Sequence, residues 1–275
     1  MKLARRTHPF IAFLLVACAA AFAAEPYRPA IDPANFTHLV SNPWFPLMPG
    51  SSATYLEQLG REKRENKVTV THETKVVMGV KCAVVHDTVS LDGAVVEDTY
   101  DWYAQDKQGA VWYFGEATRE FKTGGRVSTD GSWEAGVNGA QPGIVMPAHP
   151  KVGERYRQEY LADVAEDIGQ IAALNETVTV PLGTYKECVR TREWSMLESG
   201  TSKKWYAKGV GLVRAESTDG EVSTLVSLTR KLKPRASPSS PPPSRWLPCP
   251  PAPGSPGRDR PHHPSPPRRA ASHRC

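Results

Sequence analysis

The sequence lacks most of the short motifs that accompany well-known kinds of catalysis. It contains no C-x-x-C pair, no H-E-x-x-H or His-x-His spacing and no G-x-S-x-G elbow. These absences argue against thiol redox chemistry, common zinc hydrolases and the nucleophile of an α/β-hydrolase. Gly-Val-Gly at 209–211 precedes a predicted strand, whereas a phosphate loop needs a helix N-terminus. We therefore favour a non-catalytic protein and expect no cofactor.

Cysteine is scarce, and only Cys82 and Cys188 fall in the middle of the chain. In an exported protein such a pair can form one disulfide. Both residues also lie in predicted strands, where a small buried thiol is an ordinary core residue. The sequence leaves these two alternatives open.

The middle of the chain also lacks a net positive charge. The net charge of +5 comes from the two ends, and residues 25–232 are mildly acidic by themselves. A basic surface is the electrostatic requirement for binding nucleic acid. We therefore expect no nucleic-acid partner.

Residues 1–24 have the pattern of a secretory signal peptide. A basic start precedes an apolar run that is too short for a membrane-spanning helix, and Ala21-Phe22-Ala23 fits the small-x-small rule for signal peptidase. We expect export to the periplasm or to the outside of a bacterial cell. The minor alternative is a lipobox at 15–18, and only a lipid on Cys18 would then bring the protein into contact with the membrane.

Residues 233–275 differ in composition from the rest of the chain. Fourteen of the 25 prolines lie there, together with many Arg and Ser residues. Such a segment cannot bury enough apolar surface to offset its chain entropy, so we expect a disordered tail. Residues 25–232 remain, and they are enough for one domain with a hydrophobic core.

That domain is predicted to be mostly β. The clearest signal lies at 94–116, where two runs of aromatic and β-branched residues flank the turn sequence Asp106-Lys107-Gln108-Gly109. Neighbouring segments also alternate between apolar and polar residues and end at turns such as Asp92-Gly93. We expect a single domain of curved antiparallel sheet: a meander, a half-barrel or a barrel-like form.

The start of the domain is interrupted by prolines. Pro43, Pro46 and Pro49 exclude a helix interior or a central strand, and Pro49-Gly50 predicts a turn into a first strand near 52–59. We expect the aromatic residues around Trp44 and Phe45 to fold over one end of the domain as a plug.

Three other stretches depart from plain alternation. Residues 61–67, REKRENK, are interpreted as a charged link, and a strand is expected near 154–160. Residues 124–153 are rich in Gly and Pro, which predicts a long loop, and such loops are often functional. Trp133 in this loop is either an apolar plug or a platform that faces a ligand.

Acidic residues crowd the central hairpin. Strand alternation places Asp98 on the same face as Tyr100 and Trp102, and it leaves Asp101 on the opposite face, which we expect to be solvated. An unpaired carboxylate on the aromatic face is costly to bury. We expect Asp98 to pair with Arg190 or Arg192, or with a bound cation.

Three parts of the sequence together resemble a group of uncharacterised exported bacterial proteins rich in β-structure. They are NPWFPLMPG at 42–50, DWYAQDKQGAVWYFGE at 101–116, and the pair VPLGTY at 180–185 and YAKGVGLV at 206–213. The resemblance covers most of 30–230 and implies no established activity. The last pair is also similar to periplasmic proteins and lipoproteins with a curved sheet, some of which hold an apolar ligand in its concave face.

These observations favour an exported, non-catalytic binding or envelope-associated protein with an unknown small, possibly apolar ligand. The sheet would form the cavity, residues 124–150 would be its lid, and the ligand-binding candidates are Asp98, Trp102, Trp112, Glu116 and Trp133. One alternative is a hydrolase in which Asp98 and Glu116 work with a divalent cation. Another is a structural surface protein whose strand edges pair with a partner.

Overall fold

A computed structural model describes residues 27–230 of the chain. The predicted signal peptide, the alternative lipid site at Cys18 and the predicted tail at 233–275 therefore lie outside the described residues. Within 27–230 the chain forms sixteen β-strands and two short 3₁₀ helices, at Pro33–Asn35 and Thr123–Gly125. In this part of the chain no helix has the length and apolar character needed to cross a membrane.

The strands are numbered in chain order. They are β1 (Phe36–Thr37), β2 (Ser52–Leu59), β3 (Glu62–Val77), β4 (Val80–Leu91), β5 (Ala94–Asp106), β6 (Val111–Phe121), β7 (Val127–Ser128), β8 (Trp133–Glu134), β9 (Gln141–Met146), β10 (Arg155–Arg157), β11 (Glu159–Tyr160), β12 (Asp167–Val180), β13 (Gly183–Ser195), β14 (Ser202–Ala207), β15 (Gly211–Ser217) and β16 (Val222–Thr229).

The strands form one antiparallel sheet that nearly closes on itself. Strands β2 to β6 are neighbours in chain order, strands β12 to β16 are also neighbours in chain order, and β16 pairs with β2 to join the two meanders. The predicted fold class, a curved antiparallel sheet of barrel-like form, is confirmed. Hairpin turns follow the predicted turn chemistry, since Asp92 and Gly93 have φ of 52° and 81° and Gly109 has φ of 101°.

Residues 155–160 bring the two ends of the sheet together. Strand β10 pairs with β12, and β11, which follows it after one residue, pairs with β9. Between them the backbone N–H of Gln158 donates to the carbonyl of Asp167 at 2.8 Å. A strand was expected here, but its pairing with both β12 and β9 was not. Local alternation of residues does not specify the register between strands that are distant in sequence.

The predicted charged link at 61–67 is wrong, because β3 begins at Glu62 and its residues 62–69 pair with the whole of β2. The turn is shorter and lies at Gly60, whose φ is 59°. An antiparallel strand with one face in solvent accepts alternate charged residues, so the high charge of REKRENK is compatible with pairing.

The predicted loop at 124–153 is partly strand. Strands β7, β8 and β9 all pair with β6, and β9 contains the mostly buried run Gly143–Met146. This run shows no period of two because it is covered on both faces. Residues 124–150 contribute no side chain to the main cavity described below, so the interpretation as its lid is corrected.

Buried apolar residues form two clusters. The larger one includes Cys82 and Trp133, and the smaller one includes Cys188 and Leu225. Both cysteines are buried free thiols, which corrects the disulfide alternative. Their separation into different clusters is the physical reason, because a disulfide requires the two Cα atoms to lie within about 7 Å.

We predict that Gly143→Ala destabilises the closure of the sheet. A Cβ atom on Gly143 would collide with the backbone of Arg157 and Gln158. We expect a loss of about 3 kcal/mol in the free energy of unfolding, measured by urea denaturation. Gly139→Ala is the control: its Cβ meets no atom within 4 Å, and it should cost about 1 kcal/mol through its positive φ alone. Equal losses in the two variants would contradict the close approach at Gly143.

Candidate functional site

An internal cavity of about 300 Å³ is the main candidate site of the described chain. Its walls come from β2 to β5 on one side, from β14 to β16 on the other, and from the segment 45–52. Among its lining residues Met48, Gly209 and Arg230 are exposed, which places the opening beside them. Asp101 and Tyr206 are buried, so the cavity extends into the protein from that opening.

Strand alternation explains which side chains reach the cavity. Residues two apart on each strand share a face, and most of the lining residues follow this rule. The lining pairs and triplets are Ala53, Tyr55 and Glu57 on β2, Asn66, Val68 and Val70 on β3, Val85 and Asp87 on β4, Asp101 and Tyr103 on β5, and Lys204 and Tyr206 on β14.

The segment before β2 acts as the expected plug, and Asn42 holds it in place. The Asn42 side chain is 2% exposed. Its amide Nδ2 donates to the carbonyls of Gly109 and Pro147, at 2.8 and 3.2 Å. Its Oδ1 accepts from the backbone N–H groups of Trp44 and Phe45. These contacts bind the plug to the central hairpin.

The plug carries apolar side chains to the cavity. Phe45 packs against Tyr103 and Tyr206, with ring centroids 5.4 and 6.2 Å apart. Leu47 and Met48 also line the cavity. The plug therefore contributes apolar side chains to the cavity wall, as is usual for a ligand pocket.

Three carboxyl groups line the cavity: Glu57, Asp87 and Asp101. None of them forms an ion pair within residues 27–230. Asp87 accepts from Nδ2 of Asn66 at 2.9 Å, and Asp101 accepts from the hydroxyl of Tyr113 at 2.6 Å. Asp87 and Asp101 thus have hydrogen-bond donors, and none of the three carboxyl groups has a paired cation among these residues.

Burial changes how these groups titrate. It raises the pKa of Asp87 to about 7, and the charges of Glu97 and Glu57 act in the same direction. Burial also raises the pKa of Glu57 to about 7. Burial holds the pKa of Asp101 well above its usual range, although the hydrogen bond from Tyr113 opposes this. Glu57 and Asp87 are therefore partly protonated at neutral pH.

One buried ion pair adjoins the cavity and contrasts with these three groups. Lys204 lines the cavity and contacts Glu193 at 2.7 Å. Burial alone would raise the pKa of Glu193, but Lys204 and the Thr191 hydroxyl lower it. Glu193 in turn raises the pKa of Lys204. Both members stay charged, so Lys204 is already neutralised by its partner.

The sequence-predicted candidate Asp98 lies outside the cavity, on the other face of β5. Its Oδ1 is 2.6 Å from Nε2 of His86, and its Oδ2 is 3.8 Å from Arg119. The predicted pairing with Arg190 or Arg192 is wrong, because neighbouring strands supply nearer partners, and Arg190 binds Glu176 instead.

The three candidate tryptophans also lie outside the lining of the cavity. Trp102 has the ammonium group of Lys75 3.3 Å from its ring centroid. Trp112 donates from Nε1 to Asp106 at 2.9 Å. Trp133 is 4% exposed and packs edge-on against Tyr113, so of its two predicted roles it has that of a buried apolar side chain that anchors its own segment. These indoles stabilise the packing around the sheet.

Glu116 is close to the cavity without lining it. It is the cross-strand partner of Asp101, and its charge contributes to the raised pKa of Asp101. Sequence reasoning placed Asp101 on the solvated face and missed the role of Asn66, Asp87 and Lys204. Alternation separates the two faces of β5, but it does not say which of them is turned inwards.

A divalent cation has no ready ligand set here. Among residues 27–230, no three His, Cys, Asp or Glu side chains are grouped so that they could hold a metal ion. Asp98 and Glu116, the pair named in the hydrolase alternative, belong to different surroundings: Asp98 contacts His86, whereas Glu116 accepts from Thr118.

Comparison with known proteins yields two distant structural likenesses. No protein-family model and no curated protein matches the chain. A protein from Bacteroides fragilis NCTC 9343, described as exported and of YmcC-like fold, is 14% identical with a TM-score of 0.41, covering 68% of this chain and 99% of its own. A protein from Parabacteroides distasonis ATCC 8503, described as a lipoprotein, is 13% identical with a TM-score of 0.38. That match covers 68% of this chain and 98% of the other. Likeness at this level carries no information about function.

We predict that Asn42→Ala loosens the plug. The substitution removes two donated and two accepted hydrogen bonds of a buried side chain. We expect a loss of about 3 kcal/mol in the free energy of unfolding, measured by urea denaturation. The matched control is Asn35→Ala on an exposed residue, which should cost less than about 0.5 kcal/mol. A small effect at Asn42 would mean that the plug is held by apolar packing alone.

We also predict that stability falls as the pH rises. Folding raises the pKa of Asp87 from 3.8 to about 7, so the folded state binds more protons than the unfolded state between these values. The contribution to stability is fully present below the unfolded pKa and is lost as the pH rises through the folded pKa. The melting temperature should therefore fall between pH about 5 and about 8.

Asp87→Asn should reduce this fall, because the amide does not ionise. Asp92→Asn, at the exposed turn between β4 and β5, is the matched control and should keep the fall seen in the wild type. An unchanged slope in Asp87→Asn would show that Asp87 is already ionised in the folded protein at the lower pH.

Proposed function

We propose that this protein is an exported, non-catalytic binding protein that holds a small amphipathic ligand inside its sheet. The observation that carries the proposal is the cavity of about 300 Å³, whose lining combines apolar side chains with polar groups that include the buried Asp101. This volume is at the lower end of the range of small-molecule pockets, which begins at about 300 Å³. Such a site fits a ligand with an apolar body and one polar end.

The walls support this choice of ligand. Val68, Val70, Val85, Leu212 and Leu228 line the cavity together with the plug residues Phe45 and Leu47. Burial of apolar ligand surface against such walls stabilises a complex by about 25 cal/mol for each Å² removed from water. The polar groups at the buried end would fix the orientation of the ligand, as a few polar groups do in most pockets.

Export is the second part of the proposal, and it is supported by the pattern of residues 1–24. The basic start, the apolar run and the Ala21-Phe22-Ala23 site are typical of signal peptides. A carrier or sensor in the cell envelope would then meet its ligand in the periplasm or at the cell surface.

The test is native mass spectrometry of the full chain, exported by a bacterial host and purified without detergent. We expect a bound small molecule in the wild type and none in Ser223→Phe, because Ser223 lines the cavity and a phenyl ring there would occupy it. The control Ser227→Phe changes an exposed residue of the same strand and should retain the adduct. An adduct that survives in Ser223→Phe, or a wild type without any adduct, would contradict binding in this cavity.

A further inference from the structure

The buried end of the cavity has an excess of hydrogen-bond acceptors. Asp101 is 8% exposed and receives one hydrogen bond, at Oδ1 from Tyr113, which leaves Oδ2 without a donor among the described residues. Asn66 donates to Asp87 through Nδ2, and its own Oδ1 is buried without a partner. A buried acceptor without a donor, such as Oδ1 of Asn66, costs free energy in the empty protein. These atoms therefore favour a ligand that brings donors.

The acceptors lie on three neighbouring strands. Val68 on β3 is opposite Asp87, and Val85 on β4 is opposite Asp101. Asn66 is thus the diagonal neighbour of Asp87, and Asp87 is the diagonal neighbour of Asp101. Diagonal positions lie about 7–8 Å apart at Cα, so each adjacent pair, Asn66 with Asp87 and Asp87 with Asp101, can face one small group placed between its side chains.

The surrounding charges leave this end of the cavity negative. The acidic groups whose charges act on Glu57, Asp87 and Asp101 are Glu97, Glu116 and Glu221. On the basic side, Arg64 acts on Glu57 but pairs with Glu62. Lys204 pairs with Glu193, and Arg230 lies at the opening, where it donates to the carbonyl of Gly209. The hydroxyls of Tyr103 and Tyr113 are neutral neighbours, because burial raises both of their pKa values.

On the premise that the cavity binds a ligand as proposed above, we infer that this ligand is a cationic amphiphile, an organic ammonium group on an apolar body. An ammonium group has three donors and no acceptor, which complements Asp87 together with one of its two neighbours, Asp101 or Oδ1 of Asn66. Its charge supplies the cation that the carboxyl groups lack. The valine and leucine side chains around them accommodate the apolar body.

Proton exchange should accompany binding. Asp87 and Glu57 have pKa values of about 7, so part of each group carries a proton in the empty protein at neutral pH. An ammonium group favours the ionised carboxylates, and binding therefore releases protons. Affinity for the cation consequently rises with pH, whereas affinity for an uncharged ligand of the same shape does not.

The experiment is isothermal titration calorimetry of the full chain with octylammonium, 1-octanol and octanoate, which share one alkyl chain and differ in the charge of the head group. At pH 7.5 we expect octylammonium to bind at least about ten-fold more tightly than octanol, and octanoate to bind most weakly. Between pH 6 and pH 8 the affinity for octylammonium should increase, and that for octanol should stay constant.

Substitutions at single carboxyl groups test which residues cause the preference for octylammonium over octanol. Asp87→Asn and Asp101→Asn should each remove most of the difference between octylammonium and octanol, while Asp98→Asn, on the outer face, should keep it. Equal binding of octylammonium and octanol would overturn the inferred charge and leave the proposed function standing. Failure of all three compounds to bind, with no adduct in the native mass of the wild type, would overturn the proposed function itself.

Discussion

The pairing of residues 155–160 with both ends of the sheet is the constraint on which the rest of the structure depends. Strand β10 binds β12, β11 binds β9, and Gly143 lets the backbone at Arg157 and Gln158 approach closely. Because the sheet closes, one of its faces becomes an interior shielded from water. A shielded interior disfavours charge, and the raised pKa values of Asp87 and Asp101 are the electrostatic result of this closure.

The ionisable groups beside the cavity are of two kinds, those in an ion pair and those without one. Glu193 and Lys204 form a pair with further hydrogen bonds, and such a satisfied pair is compatible with folding. Asp87 and Asp101 have hydrogen-bond donors but no cation. Uncompensated carboxyl groups reduce stability, so their presence beside a cavity fits a site that binds rather than a core that only packs. The plug held by Asn42 completes the enclosure.

Local sequence signals predicted the local structure well. Turn residues marked the hairpins at Asp92-Gly93 and Gly109, because left-handed backbone conformations favour these residue types. The same reasoning failed for β3, where charged residues hid a strand with one solvated face, and for β9, where burial on both faces removed the alternation. It also failed for Asp101. Both faces of β5 carry aromatic and acidic residues, and only the face of Asp101 and Tyr103 lines the cavity.

The sequence by itself determined the antiparallel meander, its turns and the mildly acidic charge of residues 25–232, since these follow from residue type and spacing along the chain. The tertiary structure decided which face of the sheet lines the cavity and which carboxyl groups lie there. It also placed the three candidate tryptophans outside the cavity lining. Asn66, Asp87 and Asp101 are distant in sequence and become neighbours through the register of three strands. Register depends on contacts summed over the whole sheet, and for that reason the cavity and its acceptors could be found only in the folded chain.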